Sequence, residues 1–552
     1  MVKGGVPKQL DLSVPDERER VLRILHAVAA LPENVEDYSD ILRRYPSPSG
    51  TYAKSQLLEA YRQLVAEGAL VPRSDLERRL RGRPVRTISG VTPVAVLTEP
   101  YPCPGNCIFC PGQQDAPKSY LDGEPGVLRA LQYGYDPFFQ TAGRIKALTA
   151  IGHPVDKVEL LILGGTWSCY PAEYQEWFLR RCFDAMNETE SSTLQEALLQ
   201  NEQAPHRNVG LVVETRPDFI TPQALVTLRK NGVTKVQVGA QSLDDRVLLL
   251  NRRGHTLAQT QQAVSLLRLG GFKVVLHWMP NLLGATLDSD LADFARLWSD
   301  PALRPDEIKI YPTALVEGTA LYDLWTAGEY APYAEADLIE LLVQCKMLVP
   351  PYCRINRLMR DIPASYIVAG TRKSNLRQVV QQALEARGLR CDCIRCREVR
   401  SSGAQELRGI AGTEIKTLMG HAANNGMRVE DVTYRTDTTV EHFLQVLTPE
   451  ERLAGFLRLS LPDAPRTEIP VPEIRDAAMI REVHIYGPAQ ELGQRGWGEQ
   501  HRGLGTQLLE IAADLAWKAG FRELAVIAAV GTRPYYRERG FVEGDLYPLR
   551  RL

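Results

Sequence analysis

Apolar, β-branched runs recur along the middle of the chain, each separated from the next by enough residues for a helix. They are VTPVAVLT (91–98), KVELLILGGT (157–166), NVGLVVETRP (208–217), KVQVGAQS (235–242), FKVVLHWMP (272–280) and EIKIYPT (307–313). Strands that read as near-continuous apolar runs are buried on both faces, the pattern of a parallel sheet covered by crossover helices. Six such β/α units predict an open sheet or a partial barrel. Several runs end in polar groups: Gly164-Gly165-Thr166, Glu214-Thr215-Arg216, Gln241-Ser242 and His277. In a parallel β/α barrel the active site lies at that end of the strands.

Upstream, residues 18–31 and 52–68 repeat apolar side chains at helical spacing, as in Leu57, Leu58, Tyr61, Leu64 and Val65. Beyond residue 400, the segments 440–447, 452–460, 477–487 and 523–530 read as strands. Between the last two, GEQHRGLGTQLLEIAADLAWKAG reads as a glycine-rich turn opening an amphipathic helix. The polar stretch 188–207 reads as an inserted surface segment. The expected division is α/β throughout its larger parts: a helical, basic unit over 1–85, a partial (β/α)6 barrel over 86–345, a basic linker over 346–400 and a second α/β domain over 401–552.

Composition changes this picture little. At 552 residues the chain has room for several domains, and 44% hydrophobic with 24% charged residues is ordinary for a globular protein. The first twenty residues hold no apolar h-region, and no apolar run reaches the ~18 residues of a membrane span. A soluble cytoplasmic protein, with no membrane partner, is expected. The net charge of −2 conceals two basic segments: 351–400 carries eleven Arg and Lys against four Asp and Glu, and 71–90 carries six against two. An anionic partner such as nucleic acid follows as an expectation, with Arg78, Arg79 and Arg81 among the candidate contacts.

The ten cysteines are unevenly placed. In a reducing compartment clustered thiols are more often metal ligands than disulfides. Cys391, Cys393 and Cys396 (C-x-C-x2-C) fit a structural zinc once Cys345, Cys353 or a histidine supplies a fourth ligand. Cys103, Cys107 and Cys110 (C-x3-C-x2-C) lie in the loop after the first strand. Three thiolates alone suit an iron–sulfur cluster whose fourth iron is left for a ligand.

That cysteine loop, with LGGT ending the second strand, resembles the radical S-adenosylmethionine superfamily. The resemblance implies a 4Fe-4S cluster on Cys103, Cys107 and Cys110 that chelates and reductively cleaves S-adenosylmethionine, and an external electron donor. It implies that Gly164, Gly165 and Thr166 contact the methionine amino group, with Glu214, Arg216 and Gln241 as further cofactor ligands. Gln500 to Gly505 (Q-H-R-G-L-G), between two strands, resembles the pyrophosphate turn of the GCN5-related acetyltransferases. By that resemblance Glu482, Val483, His484 and Ile485 line the thioester of acetyl-coenzyme A, Leu504, Gly505 and Thr506 hold its pyrophosphate, and Tyr536 meets the departing thiolate.

The pairing of these two domains, with RGRPVRTISGV, VETRPD, KIYPT, REVHIYG and GTRPYYRERGF, resembles the family of the catalytic subunit of Elongator and its single-chain prokaryotic relatives. It implies carboxymethylation of the tRNA wobble uridine at carbon 5, with Lys157 contacting acetyl-coenzyme A and Tyr536 in a catalytic role. The cysteine triplet at 391–396 points to a prokaryotic-type chain that acts without the other Elongator subunits, alone or as a homodimer. Two other readings stand beside it: a protein-lysine acetyltransferase scaffolded by the barrel, and a tRNA-binding module with a vestigial site.

Overall fold

A computed structural model describes residues 10–32, 37–46, 51–81, 90–399, 427–486 and 499–552. The first unit comprises helices α1 (Pro15–Ala29), α2 (Ser39–Arg44), α3 (Lys54–Ala66) and α4 (Ser74–Leu80). Val21, Ile24, Leu25 and Val28 of α1 are buried with Leu57, Leu58, Tyr61 and Leu64 of α3, as the helical spacing requires. Arg79 is buried in the same unit, donating to the carbonyls of Val28 at 2.7 Å and Pro32 at 2.9 Å. It closes the end of α1 and is not available to a phosphate, so the expectation for this residue is corrected. Residues 82–89 of the basic stretch lie outside the described residues.

All six expected central strands form: β1 (Thr92–Leu97), β2 (Lys157–Leu163), β3 (Arg207–Thr215), β4 (Lys235–Gln241), β5 (Lys273–Trp278) and β6 (Glu307–Ile310). A two-residue strand, β7 (Leu315–Val316), follows, then β8 (Arg354–Arg357) and β9 (Ile367–Ala369). The sheet order is β1-β2-β3-β4-β5-β6-β8, every pairing parallel, with seven strands rather than six. Strand β8 lies in the stretch read as a linker; Arg-Ile-Asn-Arg carries a single apolar residue, so hydropathy does not announce it. Helices between strands start on threonine caps, at Thr193, Thr221, Thr256 and Thr286, whose side chains accept from the third residue on. The segment read as a surface insertion is a polar excursion only in part. Its helix Leu194–Asn201 buries Leu194, Ala197 and Leu198.

The last domain is a mixed sheet ordered β10-β11-β12-β13-β14-β16-β15. Its strands are β10 (Arg428–Arg435), β11 (Thr439–Leu447), β12 (Leu453–Pro462), β13 (Ala477–Ile485), β14 (Glu523–Val526), β15 (Val542–Glu543) and β16 (Pro548–Arg551). Only β13 and β14 run parallel, joined across the helix Glu499–Lys518. Among the described residues no helix is long and apolar enough to cross a membrane.

This sheet packs against the N-terminal end of the barrel strands. Asp306, the residue before β6, is fully buried and accepts from Arg481 of β13 at 2.6 and 2.7 Å and from the Val274 amide at 2.9 Å. Arg481 also donates to Glu441 at 2.9 Å, and Arg458 of β12 lies 3.4 Å from Asp306. The arginines hold the Asp306 carboxyl well below the usual range despite its burial. Removing one partner of such a group strands the other charges in a dry interior, which typically costs about 3–5 kcal/mol. Asp306→Ala should therefore lower the melting temperature sharply and open the domain junction to protease. A variant melting with the wild type would show that the cluster does not join the domains.

Candidate active site

The chain leaves β1 into a loop tied down by Ile108, whose amide donates to the Asn251 carbonyl at 3.3 Å and whose carbonyl accepts from Leu321 at 2.9 Å. Cys103, Cys107 and Cys110 sit half-buried on this loop and face a large cavity. Arg253 donates to Cys107 Sγ at 3.2 Å, and Thr166 Oγ1 lies 3.9 Å from Cys103 Sγ. Burial pushes the Cys110 thiol up to about 11, with Lys118 and Arg360 opposing the shift.

Around the thiols the expected residues gather. Gly164 and Gly165 have φ of 135° and 97°, and a Cβ on Gly164 would collide with Thr98 Oγ1, so the turn that ends β2 requires glycine. Glu214 accepts from the Tyr120 hydroxyl at 2.6 Å. Arg216 pairs with Asp218 at 2.9 Å and lies so close to the cysteine loop that a Cβ on Gly105 would meet its Nη1 at 2.5 Å. Gln241 is in the left-handed region at φ 71°. Among the described residues, Arg216 Nη1 and Gln241 Oε1 are buried without a hydrogen-bond partner, as is fitting for groups that face a polar ligand.

At the opposite end of the same cavity, Glu482, Val483, His484 and Tyr536 form part of the wall. Glu482 is held by Lys273 at 3.1 Å and Arg458 at 3.0 Å, cations that keep its carboxyl below the usual range despite burial. Burial lowers His484 to about 4, so its imidazole is neutral, and its Nε2 has no partner. Burial pushes the Tyr536 phenol far up, so it is a proton donor rather than a phenolate. Ile485 and Leu504 pack into the domain core, and Arg539 donates to Thr506 Oγ1 at 3.1 Å. A Cβ on Gly505 would meet the Tyr535 hydroxyl at 2.6 Å, so this glycine admits close packing inside the helix rather than ahead of it. None of these four lines the cavity, nor does Lys157, which starts β2 and lies 3.9 Å from Asp156.

The cavity, about 980 Å³, is the barrel lumen itself, running from the cysteine loop past both ends of the strands to β13. The register sets its layers. Lys235 and Lys273 pair at one level, Gln237, Glu307 and Arg354 at the next, and His277 with Lys309 above them. Lys235 bridges Glu159 at 2.8 Å and Glu307 at 3.0 Å across the lumen. Of these the sequence reading names only His277; the lumen lysines, Gln237 and Glu307 escape it. Their signal is an alternating polar residue inside strands that otherwise read apolar, as in KVQVG and EIKIY.

The basic segment 351–400 is divided: Arg357, Arg372, Arg387 and Arg390 are exposed, while others are half-buried against partners. Arg354 binds Glu398 at 2.7 Å, Arg360 binds Glu124 at 3.2 Å, and Arg377 donates to the Ile355 carbonyl at 2.9 Å. Cys391, Cys393 and Cys396 bring their sulfurs within 4.8 Å of one another, and hydrogen bonds from Cys391 and Cys396 lower the Cys393 thiol well below its ordinary range. Among the described residues no other group of three metal-ligating side chains is so compact, and neither Cys345, Cys353 nor a histidine joins it.

The Radical SAM superfamily profile matches residues 102–297, and the Radical SAM C-terminal domain matches 305–386, a span that includes β8. A protein named tRNA uridine(34) acetyltransferase, from Methanocaldococcus infernus, is 39% identical over 524 residues, 92% of this chain and 93% of its own length. Elongator complex protein 3 of Drosophila melanogaster is 34% identical over 557 residues, 97% of both chains. The solved structure of the archaeal Methanocaldococcus infernus Elp3 with residues 1–46 deleted superposes with a TM-score of 0.71 at 35% identity, covering 84% of this chain and all of that one. With a radical S-adenosylmethionine half-barrel, its C-terminal extension and the second α/β domain all accounted for, this chain belongs to the family of tRNA uridine(34) acetyltransferase and Elongator complex protein 3.

Proposed function

We propose that the chain converts the wobble uridine of tRNA to its 5-carboxymethyl form, with acetyl-coenzyme A as the two-carbon donor. The observation that carries this reading is the single lumen with the three thiols at one end and Val483, His484 and Tyr536 at the other. A lysine acetyltransferase has no use for the first end, and a binding module has no use for either.

The residues fit the groups the family implies. Cys103, Cys107 and Cys110 would hold a 4Fe-4S cluster, and the unpartnered Arg216 Nη1 and Gln241 Oε1, with Glu214 and the Gly164-Gly165-Thr166 turn, would hold S-adenosylmethionine. When bound, that pair supplies one-electron chemistry able to take hydrogen from an unactivated methyl group. Arg253 neutralises and orients the Cys107 sulfur through its hydrogen bond. At the other end the neutral His484 and the protonated Tyr536 make an uncharged wall. Tyr536 is the group able to give a proton to the departing thiolate. Glu482 is saturated by Lys273 and Arg458 and positions β13 rather than abstracting a proton. Leu504, Gly505 and Thr506 would act through the backbone of the helix Glu499–Lys518, and Lys157 as an outer contact to the coenzyme. The wobble base enters at the cysteine end, extruded from the anticodon loop. In the net change S-adenosylmethionine would be the two-electron oxidant, ending as methionine and 5′-deoxyadenosine. One hydrogen of the acetyl methyl would go to the deoxyadenosine, the methyl carbon would join carbon 5, the hydrogen of carbon 5 would leave as a proton, and water would convert the thioester to a carboxylate and free coenzyme A. Cys391, Cys393 and Cys396 would hold a structural zinc.

Label in the acetyl methyl should appear in the tRNA nucleoside. Tyr536→Phe should slow thioester turnover by roughly 10²-fold or more while leaving cleavage of S-adenosylmethionine intact. Cys107→Ala should stop carbon transfer yet retain acetyl-coenzyme A binding. Label transfer to lysine by the cysteine variant would sink the reading. Because His484 is neutral above about 4, the rate of thioester turnover should show no ionisation near pH 6.5. An inflection there that vanishes in His484→Gln would reverse its assignment. Cys393→Ala should release one zinc per chain and lower the melting temperature without changing iron content; unchanged zinc would place the ion elsewhere.

A further inference from the structure

The lumen is strongly cationic: fourteen Lys and Arg line it against six Asp and Glu. The carboxylates are already engaged. Glu159 and Glu307 take Lys235, Glu307 also accepts from Asn356 at 2.6 Å, Glu482 takes Lys273 and Arg458, Glu124 takes Arg360, Asp361 takes Arg357 and Glu214 takes Tyr120. Lys309 stands apart. It is 7% exposed, and among the described residues no carboxylate lies within ion-pair distance of its ammonium. Its hydrogen bond goes to the neutral Gln237 Oε1, which His277 Nε2 approaches at 3.0 Å, and its ammonium lies 5.9 Å from the Tyr311 ring centroid.

A buried ammonium satisfied only by an amide keeps most of its desolvation cost, and an anion beside it would offset that cost. The layers define what kind of anion. Glu307 lies two residues earlier on the same strand and also lines the lumen, so its negative charge disfavours phosphates and other multiply charged ligands. His277 is kept neutral by burial and adds no second positive charge. At this level a buried ammonium with no ion pair among the described residues, beside two neutral polar groups, matches a small monoanion.

We propose that Lys309, Gln237 and His277 form a seat midway along the lumen for a small monocarboxylate, which in turnover holds the carboxylate end of the two-carbon unit carried on uridine carbon 5. The second half of this statement rests on the function proposed above; the first does not. Seated there, the carboxylate marks the far end of the uridine substituent. The base stays at the cysteine end and the newly formed acid points toward the acetyltransferase domain. Lys309 is thus a positioning residue that distinguishes the carboxymethyl product from uncharged forms of the same nucleoside.

The test uses the full chain with its cluster reconstituted, and calorimetric titration with sodium acetate, 5-carboxymethyluridine and the methyl ester of that nucleoside. Wild-type protein should bind acetate at one site and prefer the acid over the ester by about tenfold or more, as a charge-assisted hydrogen bond provides. Lys309→Met should abolish acetate binding and close the gap between acid and ester, while Lys309→Arg should retain both. Melting temperature and iron content of the two variants report whether the fold is kept, and Lys309→Arg preserves the charge if Lys309→Met does not fold. Acetate binding unchanged in Lys309→Met, or full displacement of acetate by S-adenosylmethionine, would overturn the seat and assign the anion site elsewhere. Lys309-dependent acetate binding without any preference for the acid nucleoside would support the seat and remove the uridine reading instead.

Discussion

The buried contact of Asp306 with Arg481 is the constraint on which the working arrangement depends. Asp306 sits at the root of β6, and Arg481 lies in the middle of β13 with Glu441 and Arg458 as further partners. Charges this deep are stable only when each finds its opposite in good geometry, so the orientation of one sheet on the other is set by a few directional bonds. That orientation turns the residues after Arg481, which are Glu482, Val483 and His484, toward the barrel lumen. Smaller contacts reinforce it, such as Arg229 donating to the Leu546 carbonyl at 2.8 Å and Tyr547 to the Gly270 carbonyl at 2.7 Å.

A consequence is that the lumen cannot be an apolar core. Barrel interiors are ordinarily filled with branched aliphatic side chains. Here Lys235, Glu159, Glu307, Gln237 and Lys309 occupy those positions and leave about 980 Å³ open. The hydrophobic stabilisation of the barrel comes from its outer layer, where Phe178, Phe183, Leu211, Val236 and Leu267 are fully buried between strands and helices. The fold thus gives up packing inside to hold polar groups at fixed levels, and the price is offset by ion pairs such as Lys235 with Glu159 and Glu307 and Lys273 with Glu482.

Sequence reading went furthest where one local interaction dominates. The six central strands follow from β-branched runs, the glycine turn after β2 from backbone sterics, and the cysteine loop from thiol spacing. It went least far where a residue's role depends on a distant partner. Arg79 looks like part of a basic surface until the helix end it caps is seen beside it. Strand β8 has little apolar character of its own because it is recruited by β6. Arg354 and Arg360 add to the local charge count of 351–400 but are taken up by Glu398 and Glu124, while Arg372 and Arg390 stay on the surface.

By itself the sequence determined the strand order along the chain, the three thiols that meet the lumen and the composition of the two domains, because these depend on neighbours a few residues apart. Only the tertiary structure decided that both domains open into one cavity, that Glu482 is tied up in ion pairs, and that Lys309 stands without a carboxylate among the described residues. The physical reason is that register and desolvation act between residues far apart in sequence. Strand pairing brings Lys309 level with His277, and burial then makes the absence of a counter-charge consequential.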